Sequence, residues 1–431
     1  MKKITAFLLV LLGGFSVLGC TQNTTGKIEI EFWHMAPVGS EAFSPTRAII
    51  NAFNESQTTY FVKGTGFSFW DYWDKINIAI SSRTAPDIGL STLDDVPARA
   101  SAGVLYNISD LLDTDPTGLD LNQLYPNQLA FATYNGDLFA LPFTATTRVL
   151  YYNLDMFAAA GLTEEDVPTT WSELHAVSKQ LDLVDGGVIQ QLGFDPTYGN
   201  ATYHGWLWEA GLDFFDENLN PTLNTQKHID ILNWVKNFNS EFTRNQLVAF
   251  GDANAMLGIN PFAAQRVAMM VETDGLYQII KNAGATFDFG VTSIPIPDED
   301  GIRVNWGSGF SIEMYDNGKG EAAQKAGAWE FLKYLMSFQV QKDFSIANGW
   351  LMAHKAAMTS AAGDDPIMLR LIEEIEYAKD KVYVPYAPSW HGNDWQPYYN
   401  SFLAGDLTAE QALLNARNNY LQKKQNYEAT H

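Results

Sequence analysis

Five short stretches of the sequence place tryptophan beside small or hydrogen-bonding residues. They are GFSFWDYWDKI around Trp70 and Trp73, YHGWLWEAG around Trp206 and Trp208, VNWGSGF at Trp306, NGWLMAH at Trp350, and PSWHGNDWQP at Trp390 and Trp395. An indole face accepts the C–H side of a pyranose ring, and acids, amides or a guanidinium nearby answer its rim hydroxyls, so the pairing suits a sugar. The chain carries 12 tryptophans, 19 tyrosines and 26 phenylalanines, so packing competes with binding at each position. Trp171, Trp234 and Trp329 fall on helix faces and read as core. Trp206, Trp306, Trp390 and Trp395 are open to either role, as are Trp70 and Trp350. Trp33 ends a strand, where a parallel sheet presents its ligand face, and reads as a binding residue. His34 follows it, in a position that a plain hydrogen-bonding role also explains.

No catalytic signature accompanies these aromatics. The sequence has neither a G-x-x-x-x-G-K-[ST] loop nor a G-x-G-x-x-G fingerprint, and Gly307-Ser308-Gly309 is too short to serve as one. It has no H-E-x-x-H pair, no clustered Cys/His spacing and no G-x-S-x-G elbow, so neither a metal nor a cofactor is expected. Acidic residues number 50 against 27 basic, a formal charge of −23. Such a field repels nucleic acid and anionic lipid. It also disfavours an anionic ligand unless arginines are concentrated locally. Carboxylates are numerous enough that a glycosidase pair is not excluded by counting.

The elements that must position these groups are legible as hydrophobic periodicity. In KIEIEFWH (27–34), Ile28, Ile30 and Phe32 alternate with charges, the period of a strand with one buried face. A helix over Glu41–Asn54, an extended run at Tyr60–Val62, a helix over Tyr72–Ile80 and a short buried strand at Asp87–Leu90 follow. This β-α-β-α-β rhythm predicts an α/β fold with a parallel sheet. Further strands are expected in Gly136–Pro142, Val149–Tyr152, Val267–Val271 and Phe289–Pro295. Helices are expected at Trp171–Leu181, with Thr169 or Thr170 near the N-cap and Glu173 in the first turn, and at Asp230–Phe238, Ala322–Ser337 and Ala409–Leu421. No composition break separates two independent domains, which favours lobes that exchange strands.

The only cysteine, Cys20, closes a three-part leader: Lys2 and Lys3, an apolar run from Ile4 to Val17, then small residues. Val17-Leu18-Gly19-Cys20 resembles a bacterial lipobox. That resemblance implies a signal peptide over residues 1–19, acylation of Cys20, and a polar tether over 20–26 that holds the rest at a membrane surface through lipid alone.

Several ordered segments carry a wider resemblance. Thr84-Ala85-Pro86-Asp87-Ile88 looks like G-x-x-P-D-[IV], with Arg83-Thr84 where glycine is usual. NGDLFALP (135–142) looks like an NGKLYALP strand, LYYNLDMF (150–157) is similar to LYYNKDLF, PTTWSEL (168–174) to PKTWDEL, and Gln265–Met269 to GKAAM. Met352 stands where G-x-x-P has proline. Together and in this order, they resemble the extracellular solute-binding proteins of ABC transporters, the sugar-binding group that includes maltose-binding protein.

The resemblance implies a two-lobed periplasmic-binding-protein fold of type II with hinge crossovers. Lobe 1 would take 27–143 and 298–345, and lobe 2 would take 144–297 and 346–431, with crossings near Thr144–Thr147 and Ser293–Pro297. Ligand would bind in the cleft and the lobes would close on it. By position, ligand groups are Trp33 and His34 after the first strand; Ser91, Thr92, Asp94 and Asp95 after P-D-I; Thr146 and Arg148 after ALP; and Glu272, Asp274 and Tyr277 after the A-M strand. Trp306 and Ser308 follow in the glycine-rich segment, and Trp390, Asp394 and Trp395 near the C-terminus; Trp206 and Trp350 complete the set. Arg148 reads equally as a hinge salt bridge. The expected activity is not enzymatic: a lipid-anchored monomer captures a mono- or oligosaccharide for permease subunits driven by a separate ATPase. A surface-anchored glycosidase, or a binder of a polyol, polyamine or peptide, are the rival readings.

Overall fold

The computed structural model describes residues 26–430 apart from 41, 116–117 and 319–321; the leader, Cys20 and most of the tether therefore lie outside the described residues. The chain opens with β1 (Ile28–His34), α1 (Phe43–Ser56), β2 (Tyr60–Gly66), α2 (Phe69–Ser81) and β3 (Ile88–Thr92). In β1, Ile30 and Phe32 are buried while Glu29 and Glu31 are less so, as the alternation requires. β1 pairs in parallel with β2 from Ile28↔Tyr60 to His34↔Gly66, and with β3 at Phe32↔Ile88.

The first lobe's sheet is completed by β4 (Ala140–Pro142) and by a strand from far downstream, β9 (Phe310–Met314), giving the order β2-β1-β3-β9-β4. β9 runs antiparallel to both β3 and β4, so the sheet is mixed where the β-α-β rhythm alone predicted a parallel one. Strand exchange brings this about: β9 returns from the second lobe and enters the sheet in the opposite sense.

The second lobe holds an antiparallel sheet, β6-β5-β7, from β5 (Arg148–Asn153), β6 (Met269–Thr273) and β7 (Phe289–Thr292). Its core is aromatic. Helix α3 (Trp171–Leu181) starts with a reciprocal cap, in which Thr170 Oγ1 accepts from the Glu173 N–H and Glu173 accepts from the Thr170 N–H. Trp171 then stacks on Trp234 with centroids 4.1 Å apart, and Trp206 meets both edge-on. The segment around Ser293–Pro297, expected to cross between lobes, lies along α3, where Ile296 bridges Thr170 and the Trp171 indole donates to Pro295 O. The chain reaches β9 instead through β8 (Asn305–Trp306), which pairs with β10 (Ala378–Lys379), and Gly307–Gly309. Among the described residues no helix is long and apolar enough to cross a membrane.

One ion pair is fully enclosed in the first lobe. Glu313 on β9 is inaccessible, and Arg99 Nη1 reaches its Oε1 at 3.1 Å. Burial raises the Glu313 pKa, and Arg99 opposes that shift. Removing one member of such a pair strands the other charge. Arg99→Met should therefore lower the unfolding free energy by about 3–5 kcal/mol in urea titrations at neutral pH, and adding Glu313→Gln should restore most of the loss. A single-variant loss of a few tenths of a kcal/mol would mean that the glutamate is already protonated.

Candidate functional site

A cavity of about 500 Å³ opens between the lobes. The first lobe contributes Met35 just after β1, Phe69 at the start of α2, Thr92 at the end of β3 and Asp94 just after it, and Phe310 at the start of β9. These are the carboxyl ends of the parallel strands, where an α/β sheet leaves room for a ligand. The facing side holds Arg148 at the start of β5, Thr273, Asp274 and Gly275 at the end of β6, and Asp380 just after β10. Thr144, Thr146, Trp306, Ser308, Gly309, Trp350 and Leu351 close it off along the passages between lobes.

Arg148 dominates the second-lobe wall. Its backbone N–H donates to Asn305 Oδ1 at 3.3 Å, and Nη1 donates to the Trp306 carbonyl at 2.6 Å. The guanidinium carbon lies 3.6 Å from the centroid of the Trp306 ring. Nε is buried without a hydrogen-bond partner, and none of the ion pairs among the described residues involves this arginine. Burial pushes its pKa down to about 10 against the pull of Asp274, Asp380, Glu272 and Asp94, which leaves it charged at neutral pH. The salt bridge that the hinge reading of Arg148 called for is thus not made.

Two acids face this cation from buried positions. Asp274 Oδ1 accepts from the Thr147 N–H at 3.2 Å, and burial pushes its pKa up to about 7. Asp380 Oδ1 accepts from Trp306 Nε1 at 3.0 Å and from the Lys381 N–H at 2.7 Å, while its Oδ2 is buried with no partner. Burial, then repulsion from Asp94, raises the Asp380 pKa. A buried carboxylate oxygen without a donor is costly, and Asp380 bears that cost in the wall of the cavity. No cluster of three or more His, Cys, Asp or Glu suited to a metal occurs among the described residues.

The cavity brings together Thr92, Asp94, Thr146, Arg148, Asp274, Trp306, Ser308 and Trp350 from the sequence expectations. Trp306 is present in a different capacity: besides Arg148, Lys381 Nζ lies 4.2 Å from its centroid, so the indole is taken up by cations. Other expected residues are elsewhere. Trp206 is core, its indole N–H donating to Pro196 O. Trp390 and Trp395 are buried among Phe214, Tyr203, Tyr399 and Tyr420. Asp394 holds Lys423 at 2.6 Å. Trp33 packs edge-on against Phe67.

His34 is enclosed by the strand beside it, because a Cβ on Gly66 would lie 2.9 Å from its ring and 2.2 Å from Ala36 O; burial lowers its pKa to about 4. Asp95 turns away to Arg99 at 3.4 Å. Glu272 accepts from Asn200 at 2.7 Å, Ser91 is buried in β3, and Tyr277 donates to Asp365. Sequence reasoning missed Asp380, which no motif precedes, and the ring faces of Phe69 and Phe310. The latter directly follows Gly309, so the glycine-rich segment already pointed to it.

The sequence profile described as bacterial extracellular solute-binding protein matches residues 48–368. The sn-glycerol-3-phosphate-binding periplasmic protein UgpB of Rhizobium meliloti is similar, with 23% identity over 373 residues, covering 81% of this chain and 80% of the relative. Among solved structures, CpMnBP1 with mannotriose bound superposes with a TM-score of 0.76 at 22% identity, over 91% of this chain and 99% of the other. The cyclic alpha-maltosyl-1,6-maltose binding protein of Arthrobacter globiformis gives a TM-score of 0.72 at 22% identity, over 91% and 98%. These likenesses establish the two-lobed fold.

The raised Asp274 pKa makes stability depend on pH. The folded chain keeps a proton that the unfolded chain, with a pKa near 3.8, has released, so stability falls as pH rises from about 4 to 7. Asp274→Asn keeps an oxygen for Thr147 and removes the charge. Its Tm should exceed that of the parent at about pH 8 and match it at about pH 4, read by calorimetry across the range. A pH-independent Tm difference would show that Asp274 is not the titrating group.

Proposed function

The chain belongs to the bacterial extracellular solute-binding proteins, and from that premise we propose that it captures a sugar between its lobes and delivers it to an ABC importer. In this reading the ring faces of Phe69, Phe310 and Trp350 hold the C–H side of a pyranose, and Asp94, Asp274, Asp380 and Arg148 engage its hydroxyls. The observation that carries it is a cavity between the lobes that presents the rings of Phe69, Phe310 and Trp350 together with Asp94, Asp274, Asp380 and Arg148. Charged hydrogen-bonding groups beside apolar ring faces match a neutral polyhydroxylated ring.

Asp94, Asp274 and Asp380 face one guanidinium in the lining, with Asp274 only partly ionised near neutral pH, and that balance also weighs against a phosphate ester of the kind named for UgpB. The permease would be a separate pair of membrane subunits with their own ATPase, and the protein a monomer without catalytic turnover. Acylation at Cys20 after removal of residues 1–19 would hold it at the membrane, outside the cytoplasm.

The test is a thermal-shift and calorimetric screen of saccharides, ribitol, sn-glycerol-3-phosphate and spermidine. A ligand that binds only the folded state adds about 2.7 kcal/mol at a hundredfold excess over Kd. A saccharide should stabilise the protein and be recovered intact, and Asp380→Asn should weaken its binding at least tenfold, in line with about 1.5–3 kcal/mol for a hydrogen bond to a charged group. Stabilisation by glycerol phosphate or spermidine with none by sugars would overturn the assignment, and product release would revive the glycosidase.

A further inference from the structure

Helix α2 opens with Phe69-Trp70-Asp71-Tyr72-Trp73-Asp74. Tyr72, Ile76 and Ala79 are buried and fix which face packs on the sheet, and the Tyr72 hydroxyl anchors the helix by donating to Leu90 O at 2.6 Å. The opposite face therefore looks outward. Phe69 lines the cavity and is 45% exposed, while Trp70 next to it is 79% exposed. Every other tryptophan is buried or half-buried. The two rings meet at 88° with centroids 5.0 Å apart, so Phe69 braces an indole that stays mostly open to solvent. Asp74 lies one helical turn beyond Trp70 on the same side, and its exposed carboxylate is in none of the ion pairs among the described residues, whereas Asp71 accepts from Ser68 Oγ at 2.6 Å.

An indole left in water at the edge of a cavity marks a binding surface more than a packing residue. Here that surface is continuous with the cavity through Phe69. We propose that Trp70 and Asp74 form an outer subsite in which a second sugar ring stacks on the indole and donates a hydroxyl to the carboxylate, so that the ligand is an oligosaccharide of at least two rings. This rests on the sugar reading of the cavity. The inner ring would occupy the space between Phe310, Trp350, Asp380 and Arg148, and the chain would leave past Phe69.

Calorimetric titrations with two series, mannose, mannobiose and mannotriose, and glucose, maltose and maltotriose, test the idea on the wild type, Trp70→Ala and Trp70→Phe. The wild type should bind the two-ring member of one series at least tenfold more tightly than the single ring. Trp70→Ala should erase most of that gain and leave single-ring affinity and the thermal midpoint unchanged, and Trp70→Phe should retain part of it. Equal weakening at every length, or no weakening at any, overturns the outer subsite while leaving the sugar reading intact. Unchanged binding with impaired uptake by cells overturns it in favour of a permease contact. Failure of the wild type to bind any of the six sugars overturns both.

Discussion

The molecule depends on a knot of backbone hydrogen bonds where the chain passes between its halves. Phe143 N–H and Thr144 N–H both donate to Phe310 O, at 2.7 and 3.1 Å, and Phe310 N–H donates back to Thr144 Oγ1 at 2.8 Å. On the other side Ala145 N–H donates to Leu351 O at 2.9 Å and Ala353 N–H to Phe143 O at 3.1 Å. Thr147 Oγ1 donates to Asn305 Oδ1 at 2.9 Å, tying the first passage to the second once more. Such contact needs Gly309, whose φ is +105° and where a Cβ would stand 2.2 Å from Thr144 O. Stretches around 144, 309 and 351 are thereby held side by side, and the same residues close off the cavity. In the proposed mechanism, lobe motion about this knot would change the distance between walls without dismantling the base.

Charge follows from that architecture. Arg148 begins β5 one step past the knot, so its guanidinium is delivered to the cavity with Nη1 already donating to the Trp306 carbonyl and its backbone N–H to Asn305. Cation–π contact and one carbonyl compensate part of its desolvation. The remainder is met at longer range by Asp274, Asp380, Glu272 and Asp94. A cation held by several distant acids, with no single close partner, keeps hydrogen-bonding directions free. This is the arrangement a binding site needs, since a tight ion pair would have to be broken first.

Much of the fold was legible because it rests on local pattern. The alternation in Ile28, Ile30 and Phe32 gave β1, and the Thr170 and Glu173 pair gave the start of α3 to the residue. The resemblance put 298–345 in lobe 1, but the antiparallel sense of β9 was not legible, since direction depends on how the chain comes back from the other lobe, about 170 residues after β4. Of the residues lining the cavity, Thr146, Arg148, Trp306 and Ser308, beside the passages, and Thr92, Asp94 and Asp274, at or just past strand ends, were reached through positions that the family resemblance implies. The tryptophans near the C-terminus misled for a physical reason: glycine and aspartate neighbours suggest a loop at Trp390 and Trp395, yet His391–Trp395 forms a π-helical turn, and the segment is roofed by Tyr420 and Phe214 from elsewhere in the lobe. Neighbours in sequence report hydrogen-bonding capacity, while burial is decided by what folds over them.

The correction changes how closure is understood. With Trp206, Trp390 and Trp395 committed to the second lobe's core, the open aromatic surface belongs to the first lobe, as Phe69 and Phe310, and to Trp350 beside the knot. The first lobe adds Thr92 and Asp94, and the second brings Arg148, Asp274 and Asp380. The two walls therefore differ: ring faces lie mainly on the first, and most of the charged groups lie on the second. Ring stacking on the first lobe is favourable while water still fills the cleft, because it gains from water leaving apolar faces. Hydrogen bonds from the second lobe gain most after water is excluded, when the effective dielectric falls. In the proposed mechanism a sugar docks first on the aromatic wall, and the polar wall then contributes binding energy that exists only in the closed form. That difference between open and closed states is what lets a ligand drive the lobes together.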